Sequence, residues 1–332
     1  MVKAELQKAA FLFPGQGAQY PQMALDFLEE GSGGAAELFD LASEITGRDM
    51  RAFLKNADRE TLKRTDVSQP AITLANLAAA AFLAERGIKP AVCAGFSLGE
   101  YAALAAAGVI TAGDSFRLVK ARGEAMQKAA DRLASQGAPG MAAVLGLDPE
   151  TAESLIAEWK IPGLYAANIN SPRQIVVSGT AGALEEGGRR FKEAGARRYV
   201  RLEVAGPFHS PLVAEASEEF RPVLEAVPFG DPAVPLYSNV TGKRVRSGAE
   251  AKILALRQIT GPVRWTEEED AVAKEGIDAA LETGPGKVLA GLWKEVQANI
   301  PCRPAGTAAD IRTLTEYEPE EKACVCKTKR RL

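Results

Sequence analysis

The 332-residue sequence contains a single histidine, His209, and only four cysteines. One histidine excludes every metal site that needs two or more imidazole ligands. Four cysteines are too few for a disulfide framework in a chain of this length, which favours a reducing compartment. Two of them, Cys324 and Cys326, lie in a charged C-terminal run and lack the spacing of a zinc site. The sequence therefore predicts no metal site.

The chain also lacks an excess of charge of one sign. Forty Lys and Arg residues against 43 Asp and Glu residues give a net charge of -3, which predicts no nucleic-acid or membrane partner. The N-terminal apolar run is too short for a signal peptide. The longest uncharged stretch, residues 67–84, contains Gln69, Pro70 and Asn76. We interpret it as a buried helix starting near Pro70 rather than a membrane span, and we expect a cytoplasmic protein.

Apolar runs and turn formers predict an α/β fold in which a smaller unit is inserted into a larger one. A length of 332 residues, 46% of them hydrophobic, is ample for two lobes. Runs at residues 9–13 and 91–94 end in glycine-rich turns and indicate buried strands, and a helix is predicted at residues 100–107. Strands and helices alternate again at residues 234–238, 249–258 and 276–282.

A compact series of elements lies between these segments. Its order of strand, helix, strand, strand, helix, strand is that of a ferredoxin-like unit. We therefore divide the chain into a discontinuous body (1–131 and 205–306), an inserted unit (132–204) and a charged tail (307–332). The elements predicted in the inserted unit are strand 141–147, helix 149–159, strand 164–169, strand 174–178, helix 181–194 and strand 198–204.

Ser97 lies between two glycines, in Gly95-Phe96-Ser97-Leu98-Gly99, after an apolar run and before a predicted helix. Flanking glycines allow the sharp turn of a nucleophile elbow, which exposes the serine hydroxyl. At the start of a helix, the N–H of Leu98 is placed to donate to a developing oxyanion. Gln16, in the loop Gly15-Gln16-Gly17, is a candidate second donor. Both segments also fit a plainer interpretation as ordinary glycine turns.

A serine nucleophile requires a base, and His209 is the only imidazole in the chain. It lies in a proline-bracketed loop, residues 206–211. The alternative is a histidine that is hydrogen-bonded for structure alone. A rate titration with an apparent pKa near that of an imidazole, about 6.5 unperturbed, could have only His209 as its histidine source. Arg122, on a predicted helix, is a candidate for binding a substrate carboxylate, although most helical arginines are solvated.

The sequence carries six motifs in series: Phe13-Pro14-Gly15-Gln16-Gly17-Ala18-Gln19, Gly95-Phe96-Ser97-Leu98-Gly99-Glu100-Tyr101, Arg122-Gly123, Asn168-Ile169-Asn170-Ser171-Pro172, Phe208-His209-Ser210 and Glu282-Thr283-Gly284-Pro285-Gly286-Lys287-Val288-Leu289. In this order and spacing they resemble the malonyl-CoA:acyl carrier protein transacylases of fatty-acid synthesis, which are related to the acyltransferase domains of polyketide synthases. The resemblance runs from residue 9 to residue 314. Six motifs in register are far more specific than the serine turn alone.

The resemblance implies an α/β-hydrolase-like body with an inserted ferredoxin-like (βαββαβ) subdomain. It implies that Ser97 is the nucleophile and His209 its general base, with Gln16 and the N–H of Leu98 forming the oxyanion hole. The implied reaction transfers malonyl from malonyl-CoA, a CoA thioester, to the phosphopantetheine thiol of acyl carrier protein. It proceeds through a malonyl ester on Ser97 and uses no bound cofactor.

Three further residues take roles through the resemblance. Arg122 would bind the free malonyl carboxylate. Gln258 would orient His209 through its backbone carbonyl, in place of the acid of a triad. Phe208 would favour malonyl over branched acyl groups, because a bulky residue leaves little room for an α-branch. Phe96 departs from the family, which usually has histidine at this position.

Acyl carrier protein is acidic by the same resemblance, so we expect a local basic surface to receive it. Three alternatives stay open. They are a polyketide-type acyltransferase with another acyl-CoA, a serine esterase or thioesterase with water as acceptor, and a carrier-protein-binding module without activity. The candidate basic surface consists of Arg189, Arg190, Lys192, Arg197, Arg198 and Arg201.

Overall fold

The structure, a computed structural model, describes residues 6–135, 137–297 and 299–315. Cys324, Cys326 and the predicted tail beyond residue 315 lie outside the described residues. The strands within these ranges are β1 Ala9–Phe13, β2 Pro90–Gly95, β3 Gly140–Leu145, β4 Leu164–Ser171, β5 Gln174–Gly179, β6 Arg198–Arg201, β7 Tyr237–Ser238, β8 Lys243–Arg244, β9 Ala279–Glu282 and β10 Cys302–Pro304. The helices are α1 Leu25–Glu29, α2 Gly33–Thr46, α3 Met50–Asn56, α4 Thr65–Glu85, α5 Gly99–Ala106, α6 Ala112–Ala134, α7 Pro149–Trp159, α8 Ala181–Glu193, α9 Ala214–Ala226, α10 Gly248–Arg257, α11 Trp265–Ala273, α12 Val288–Val296 and α13 Ala308–Thr315.

A four-stranded parallel sheet, in the order β10-β9-β1-β2, forms the centre of the larger body. All five residues of β1 are buried, and alternate side chains face opposite sides, as a strand's two-residue period requires. Phe11 and Phe13 pack into a core with α2, α4, α5 and α6, whereas Ala10 and Leu12 pack with α11 and α12. Both faces of the sheet are thus covered, and the carboxyl ends of β1 and β2 lie side by side.

Helix α4 begins at Thr65, five residues before the predicted start at Pro70. Pro70 lies in the second turn, where its missing N–H leaves one i→i−4 hydrogen bond unmade. Burial of the surrounding apolar side chains offsets that loss. The helix is long and apolar enough to cross a membrane, but 83% of its most apolar window is buried inside the protein. It is a core helix of the larger body.

Strands β3 to β6 form a second sheet, antiparallel throughout, in the order β4-β5-β3-β6. Helices α7 and α8 cover one face, where Val144, Ile175 and Val177 form a separate core. The other face carries Met141 and Val176, which pack with the core of the body. The inserted unit is therefore a small lobe with one sheet face turned toward the body.

Main-chain hydrogen bonds join the lobe to the body. The Ile169 N–H donates to the carbonyl of Val263, and the Val263 N–H donates to the carbonyl of Ala167, both at 2.8 Å. The Thr266 hydroxyl donates to the Ile169 carbonyl at 3.3 Å. The body segment that follows α10 is thereby held against β4.

Two predicted boundaries in the body differ from the structure. Helix α6 continues to Ala134, so the predicted division at residue 132 falls inside a helix. The strand predicted at residues 234–238 is reduced to Tyr237–Ser238, because Pro235 has no N–H for a ladder.

The start of the predicted tail also differs from the structure. Residues 308–315 form α13, in which Ala308, Ile311 and Leu314 are buried. Apolar residues spaced three apart give this segment a face that packs against the body. The solvated tail predicted from residue 307 therefore does not begin there.

Candidate active site

Ser97 lies at the turn between β2 and α5, at the carboxyl end of a buried parallel strand. Its φ of 50° lies in the left-handed region, which residues with a side chain rarely adopt. The turn needs glycine on both sides. A Cβ on Gly95 would lie 2.2 Å from the carbonyl carbon of Gly99, and a Cβ on Gly99 would lie 1.9 Å from the carbonyl oxygen of Phe13. The sharp turn predicted from the sequence is present.

The Ser97 Oγ atom lies 2.8 Å from Nε2 of His209. On the other side of the ring, Nδ1 lies 2.9 Å from the backbone carbonyl oxygen of Gln258. A carbonyl oxygen can only accept, so Nδ1 carries the ring proton, and Nε2 is left to accept the hydroxyl proton of Ser97. The structure thus brings together three residues that lie far apart in the sequence.

The loop around His209 fixes the position of the ring. His209 has a φ of 57°, so this residue is also in the left-handed region. The Ser210 hydroxyl donates to the Pro207 carbonyl at 2.6 Å. The Ser178 hydroxyl of β5 donates to the Phe208 carbonyl. The lobe therefore takes part in holding the loop.

Burial, with a smaller contribution from the positive charge of Arg122, lowers the pKa of His209 from 6.5 to about 4. Hydrogen bonds with the backbone of Gln258 and Gly261 oppose this shift in part. A titration of His209 would therefore lie below the unperturbed imidazole value. The imidazole is neutral, and able to accept a proton, throughout the neutral pH range.

The side-chain amide of Gln16 is already engaged with α4. Its Nε2 lies 3.3 Å from the Ser68 hydroxyl oxygen, and its Oε1 accepts from Nε2 of Gln69 at 3.2 Å. These contacts hold the side chain against the helix. A contribution from Gln16 to an oxyanion hole would therefore come from its backbone N–H.

Two backbone N–H groups beside the serine, those of Gln16 and Leu98, have no acceptor among the described residues. The Gln16 loop approaches the serine turn closely, since a Cβ on Gly15 would lie 2.4 Å from the Phe96 carbonyl oxygen. Only glycine at this position allows the two loops to meet. Two unpaired donors next to a nucleophile are the arrangement that stabilises a tetrahedral oxyanion.

Arg122 of α6 is fully buried, so the alternative of a solvated helical arginine is wrong. Its Nη2 donates to Oε1 of Gln258 at 3.0 Å, and its guanidinium carbon lies 5.4 Å from the ring centroid of Tyr101. Its Nε and Nη1 have no hydrogen-bond partner among the described residues. A buried guanidinium with two unpaired nitrogens suits an anionic group such as a carboxylate.

A cavity of about 180 Å³ opens at Ser97 and His209. Arg122 is not among its lining residues, whereas Met126, one helical turn further along α6, does line it. Aromatic rings form part of the wall, and the Phe96 ring packs edge-to-face on that of Trp265, with ring centroids 5.4 Å apart. The lining also includes Gln16, Phe96, Met141, Asn168, Asn170, Val176 and Phe208.

The described residues contain no group of three or more His, Cys, Asp or Glu side chains placed to hold a metal ion. Two cysteines lie within the described ranges, Cys93 and Cys302, and both are free thiols. Burial raises the pKa of each thiol, which disfavours the thiolate needed for nucleophilic attack.

Sequence reasoning missed the buried polar residues behind the serine turn. Asn239, just after β7, accepts from the Ser97 N–H through Oδ1 and donates from Nδ2 to the Gly95 carbonyl, both at 2.7 Å. Nδ2 also donates to Oε1 of Glu268 at 2.6 Å, and Glu100 accepts from the backbone N–H of Asn239 at 3.0 Å. The available signal was the place of Asn239 at the carboxyl end of a predicted strand, where polar groups of a parallel sheet converge.

The six residues of the predicted basic surface are not in one groove. Arg189 and Arg190 of α8 pair with Glu186 at 2.8 and 2.6 Å, and Arg189 also pairs with Glu193 at 2.7 Å. These carboxylates offset the positive charge of the two arginines. The basic residues that line the groove on this side are Arg189, Lys192 and Arg201.

Arg197 and Arg198 line a different groove, which they share with Arg173. No ion pair is found for these three arginines within the described part of the chain. Glu295 of α12 also lines the groove, so it lies where the lobe meets the body. This groove presents more uncompensated positive charge than the one beside α8.

Residues 10–326 match the family model described as the acyl transferase domain. The malonyl CoA-acyl carrier protein transacylase of Bacillus subtilis (strain 168) is 39% identical over 297 residues, which is 89% of this chain and 92% of that protein. The crystal structure of malonyl-CoA:acyl carrier protein transacylase from Xanthomonas oryzae matches with a TM-score of 0.85 and 37% identity, over 92% of this chain and 96% of that one. A malonyl-transacylase solved in complex with its type II PKS acyl-carrier protein matches with a TM-score of 0.86 and 35% identity, over 93% and 99%.

Proposed function

The chain belongs to the acyl transferase domain family, and from this premise we propose that it transfers a malonyl group from malonyl-CoA to the phosphopantetheine thiol of an acyl carrier protein. The observation that carries the proposal is the 2.8 Å contact between Ser97 Oγ and His209 Nε2. Relatives that are similar over most of the chain are named for this reaction. The cellular role we assign is the cytoplasmic supply of malonyl units for fatty-acid synthesis.

The first half of the reaction loads the serine. His209 Nε2 takes the proton of the Ser97 hydroxyl while Oγ attacks the thioester carbonyl of malonyl-CoA. The negative charge that develops on the carbonyl oxygen is stabilised by the N–H groups of Leu98 and Gln16, each worth about 10²-fold in rate. The carbon–sulfur bond then breaks, His209 returns its proton to the CoA sulfur, and a malonyl ester remains on Ser97.

The second half reverses these steps with a new thiol. CoA leaves, and the phosphopantetheine thiol enters the same cavity. His209 accepts the thiol proton, the sulfur attacks the ester carbonyl, and the serine oxygen leaves with the proton from His209. The two half-reactions share one site, which is the basis of ping-pong kinetics.

Arg122 is proposed to bind the free carboxylate of the malonyl group. Its two unpaired nitrogens are buried, and its Nη2 donates to Gln258, the residue whose carbonyl oxygen contacts His209. A carboxylate that accepts from both nitrogens would satisfy them and fix the thioester relative to Ser97. Phe208, buried in the cavity wall, is proposed to limit the space beside the α-carbon. Together these residues would select malonyl over acetyl and over branched donors.

We also propose the finer description of the fold, an α/β-hydrolase-like body with a ferredoxin-like lobe. The antiparallel order β4-β5-β3-β6 and the two helices on one face of the lobe support it. The lobe presents the groove of Arg173, Arg197 and Arg198, which we propose as the docking surface for an acidic carrier protein. A carrier protein of polyketide synthesis is a second candidate acceptor, because a similar structure contains one.

The experiment that tests the proposal compares two acceptors. The full chain is incubated with radiolabelled malonyl-CoA and acyl carrier protein carrying phosphopantetheine, and label on the carrier is measured against free malonate. We expect transfer to the carrier to dominate, and carrier protein without the phosphopantetheine arm to receive no label. Dominant release of free malonate would instead identify a hydrolase.

A further inference from the structure

We propose that Asn239 is a positioning residue that holds the strained Ser97 turn in its reactive geometry, and that Glu268 fixes the orientation of the Asn239 amide. The proposal builds on the proposed function only in the choice of malonyl-CoA as acyl donor. Asn239 is fully buried and is not among the residues that line the cavity. It therefore acts through Ser97 and touches no substrate.

The Asn239 side chain uses every hydrogen-bonding position it has. An amide offers two N–H donors and two acceptor lone pairs. Oδ1 accepts from the Ser97 N–H at 2.7 Å and from Nε2 of Gln258 at 3.2 Å. Nδ2 donates to the Gly95 carbonyl at 2.7 Å and to Oε1 of Glu268 at 2.6 Å. The four partners include both ends of the turn and the residue whose carbonyl contacts His209.

The turn needs this support because it is strained. A left-handed conformation at a residue with a side chain costs about 1–3 kcal/mol and persists only when its surroundings hold it. The N–H of Ser97 points to Asn239 instead of to a strand or helix partner. The Ser97 carbonyl accepts from Nε2 of Gln258 at 2.9 Å as well as from the first turn of α5. The side-chain amides of Asn239 and Gln258 thus both form hydrogen bonds with the backbone of Ser97.

Glu268 determines which way the Asn239 amide faces. A reversed amide would set Nδ2 against the Ser97 N–H and Oδ1 against the Gly95 carbonyl, two contacts between like groups. Oε1 of Glu268 adds an acceptor on the Nδ2 side, which disfavours the reversal further. Burial raises the pKa of Glu268 well above its usual range, and its Oε2 has no partner among the described residues. Glu100 fixes the backbone of Asn239 by accepting its N–H.

The consequence is kinetic. If Ser97 moves, its Oγ leaves Nε2 of His209 and the Leu98 N–H leaves the position of the oxyanion. A misplacement of about 1 Å at a reacting group costs on the order of 10²-fold in rate. Binding of malonyl-CoA depends on other residues. Loss of Asn239 should therefore lower kcat and leave KM nearly unchanged.

The test uses five variants of the full chain: Asn239→Ala, Asn239→Asp, Glu268→Ala, Glu268→Gln and Glu269→Ala. Glu269 is the matched control, because it is also buried in α11 but accepts from Nε1 of Trp265 at 2.7 Å and does not contact the serine turn. For each folded variant, kcat and KM of malonyl-ester formation are measured. The rate at which an uncharged fluorophosphonate labels Ser97 is measured in parallel.

We expect both Asn239 variants to lower kcat and the labelling rate about 10²-fold, with KM within about threefold of the wild type. Asn239→Asp should slow the reaction because a carboxylate oxygen, which cannot donate, would replace Nδ2 beside the Gly95 carbonyl oxygen and Oε1 of Glu268. Glu268→Ala should lower the labelling rate, and Glu268→Gln should restore it, because the amide oxygen still accepts from Nδ2. Glu269→Ala should lower thermal stability without slowing the labelling.

Two results would overturn the proposal: a folded Asn239→Ala protein with wild-type rates, or equal slowing by Glu268→Ala and Glu269→Ala. If Asn239→Ala does not fold, the comparison of Glu268→Ala with Glu269→Ala tests the proposal: slower labelling in Glu268→Ala alone supports it, and equal slowing overturns it. Wild-type protein that reacts with the fluorophosphonate but forms no ester with malonyl-CoA contradicts the proposed function alone. In that case slow labelling of the Asn239 variants still supports the positioning role.

Discussion

Ser97 and His209 both have left-handed backbone conformations, with φ of 50° and 57°. In each case a side chain of another element hydrogen-bonds to the backbone. Asn239 accepts from the Ser97 N–H, and Ser178 donates to the Phe208 carbonyl in the histidine loop. Strain of this kind is usual where a side chain must be held in one reactive position. The 2.8 Å contact between the two residues therefore depends on support from the body and from the lobe.

The lowered pKa of His209 leads to a first prediction. Below its pKa the imidazole is protonated and cannot take the Ser97 proton, so the reaction slows as the pH falls through that value. With a pKa of about 4, fluorophosphonate labelling of Ser97 should keep its rate from pH 7 to pH 5 and fall below that. The Glu100 carboxyl, whose pKa burial raises to about 7, titrates at the upper end of this range, well above the step expected for His209. A midpoint near the ordinary imidazole value of about 6.5 would contradict the burial of His209.

Arg122 leads to a second prediction, which uses the acyl group as the control. Arg122→Ala should lower kcat/KM for loading from malonyl-CoA by about 10²-fold, since a charge-assisted hydrogen bond is worth about 1.5–3 kcal/mol. Loading from acetyl-CoA, which has no free carboxylate, should change far less. The acetyl reaction also reports any disturbance of Gln258, to which Arg122 donates. Equal losses of kcat/KM with malonyl-CoA and acetyl-CoA would show that Arg122 does not bind the malonyl carboxylate.

At the scale of elements, the serine turn is determined by short-range sequence. Gly95 and Gly99 flank Ser97, and Gly15 admits the neighbouring loop. Strand β1 and helix α7 have the predicted bounds, because apolar runs and turn formers mark their ends locally. The start of α4 was mispredicted because it depends on packing that a single sequence does not display. The length of β7 was mispredicted because the missing N–H of Pro235 was not taken into account.

Gly99 supplies the prediction at this scale. A Cβ there would lie 1.9 Å from the backbone oxygen of Phe13, so β1 and α5 must move apart. Gly99→Ala should therefore lower the free energy of unfolding by about 3 kcal/mol or more, measured by urea denaturation. Gly291→Ala in α12 is the control, because no atom lies within 4 Å of its added Cβ, and it should stabilise by up to about 1 kcal/mol. Similar stability of Gly99→Ala and the wild type would mean that Gly99 of α5 does not contact the end of β1.

At the scale of the whole molecule, the site is assembled from segments distant in sequence. Ser97, Arg122 and His209 could be proposed from their residue types and motifs, because nucleophile, cation and base have recognisable chemistry. For Asn239 the sequence offered only its place after a predicted strand, and for Glu268 it offered no signal. An asparagine and a glutamate acquire such roles only when folding buries them behind the serine turn. The tertiary arrangement thus accounts for the part of the site that the sequence does not reveal.

The lobe is the basis of a prediction about the protein partner. Arg198→Glu should raise the KM for acyl carrier protein about tenfold in the transfer half-reaction, and added salt should weaken the effect. Arg189→Glu is the control, because Glu186 and Glu193 already offset the Arg189 charge, and its effect should be smaller. Malonyl loading from CoA should be unchanged in both. A larger effect of Arg189→Glu would place the docking surface beside α8 instead.

The most direct test of the account is the intact mass of the full chain after brief exposure to malonyl-CoA without acceptor. The account predicts a shift by one malonyl group on the wild-type protein. Peptide mapping should place the group on Ser97, and addition of phosphopantetheine-bearing carrier protein should remove it. The Ser97→Ala variant should show no shift. The absence of an adduct on the wild type, or an adduct that persists on Ser97→Ala, would contradict catalysis through a malonyl-serine ester.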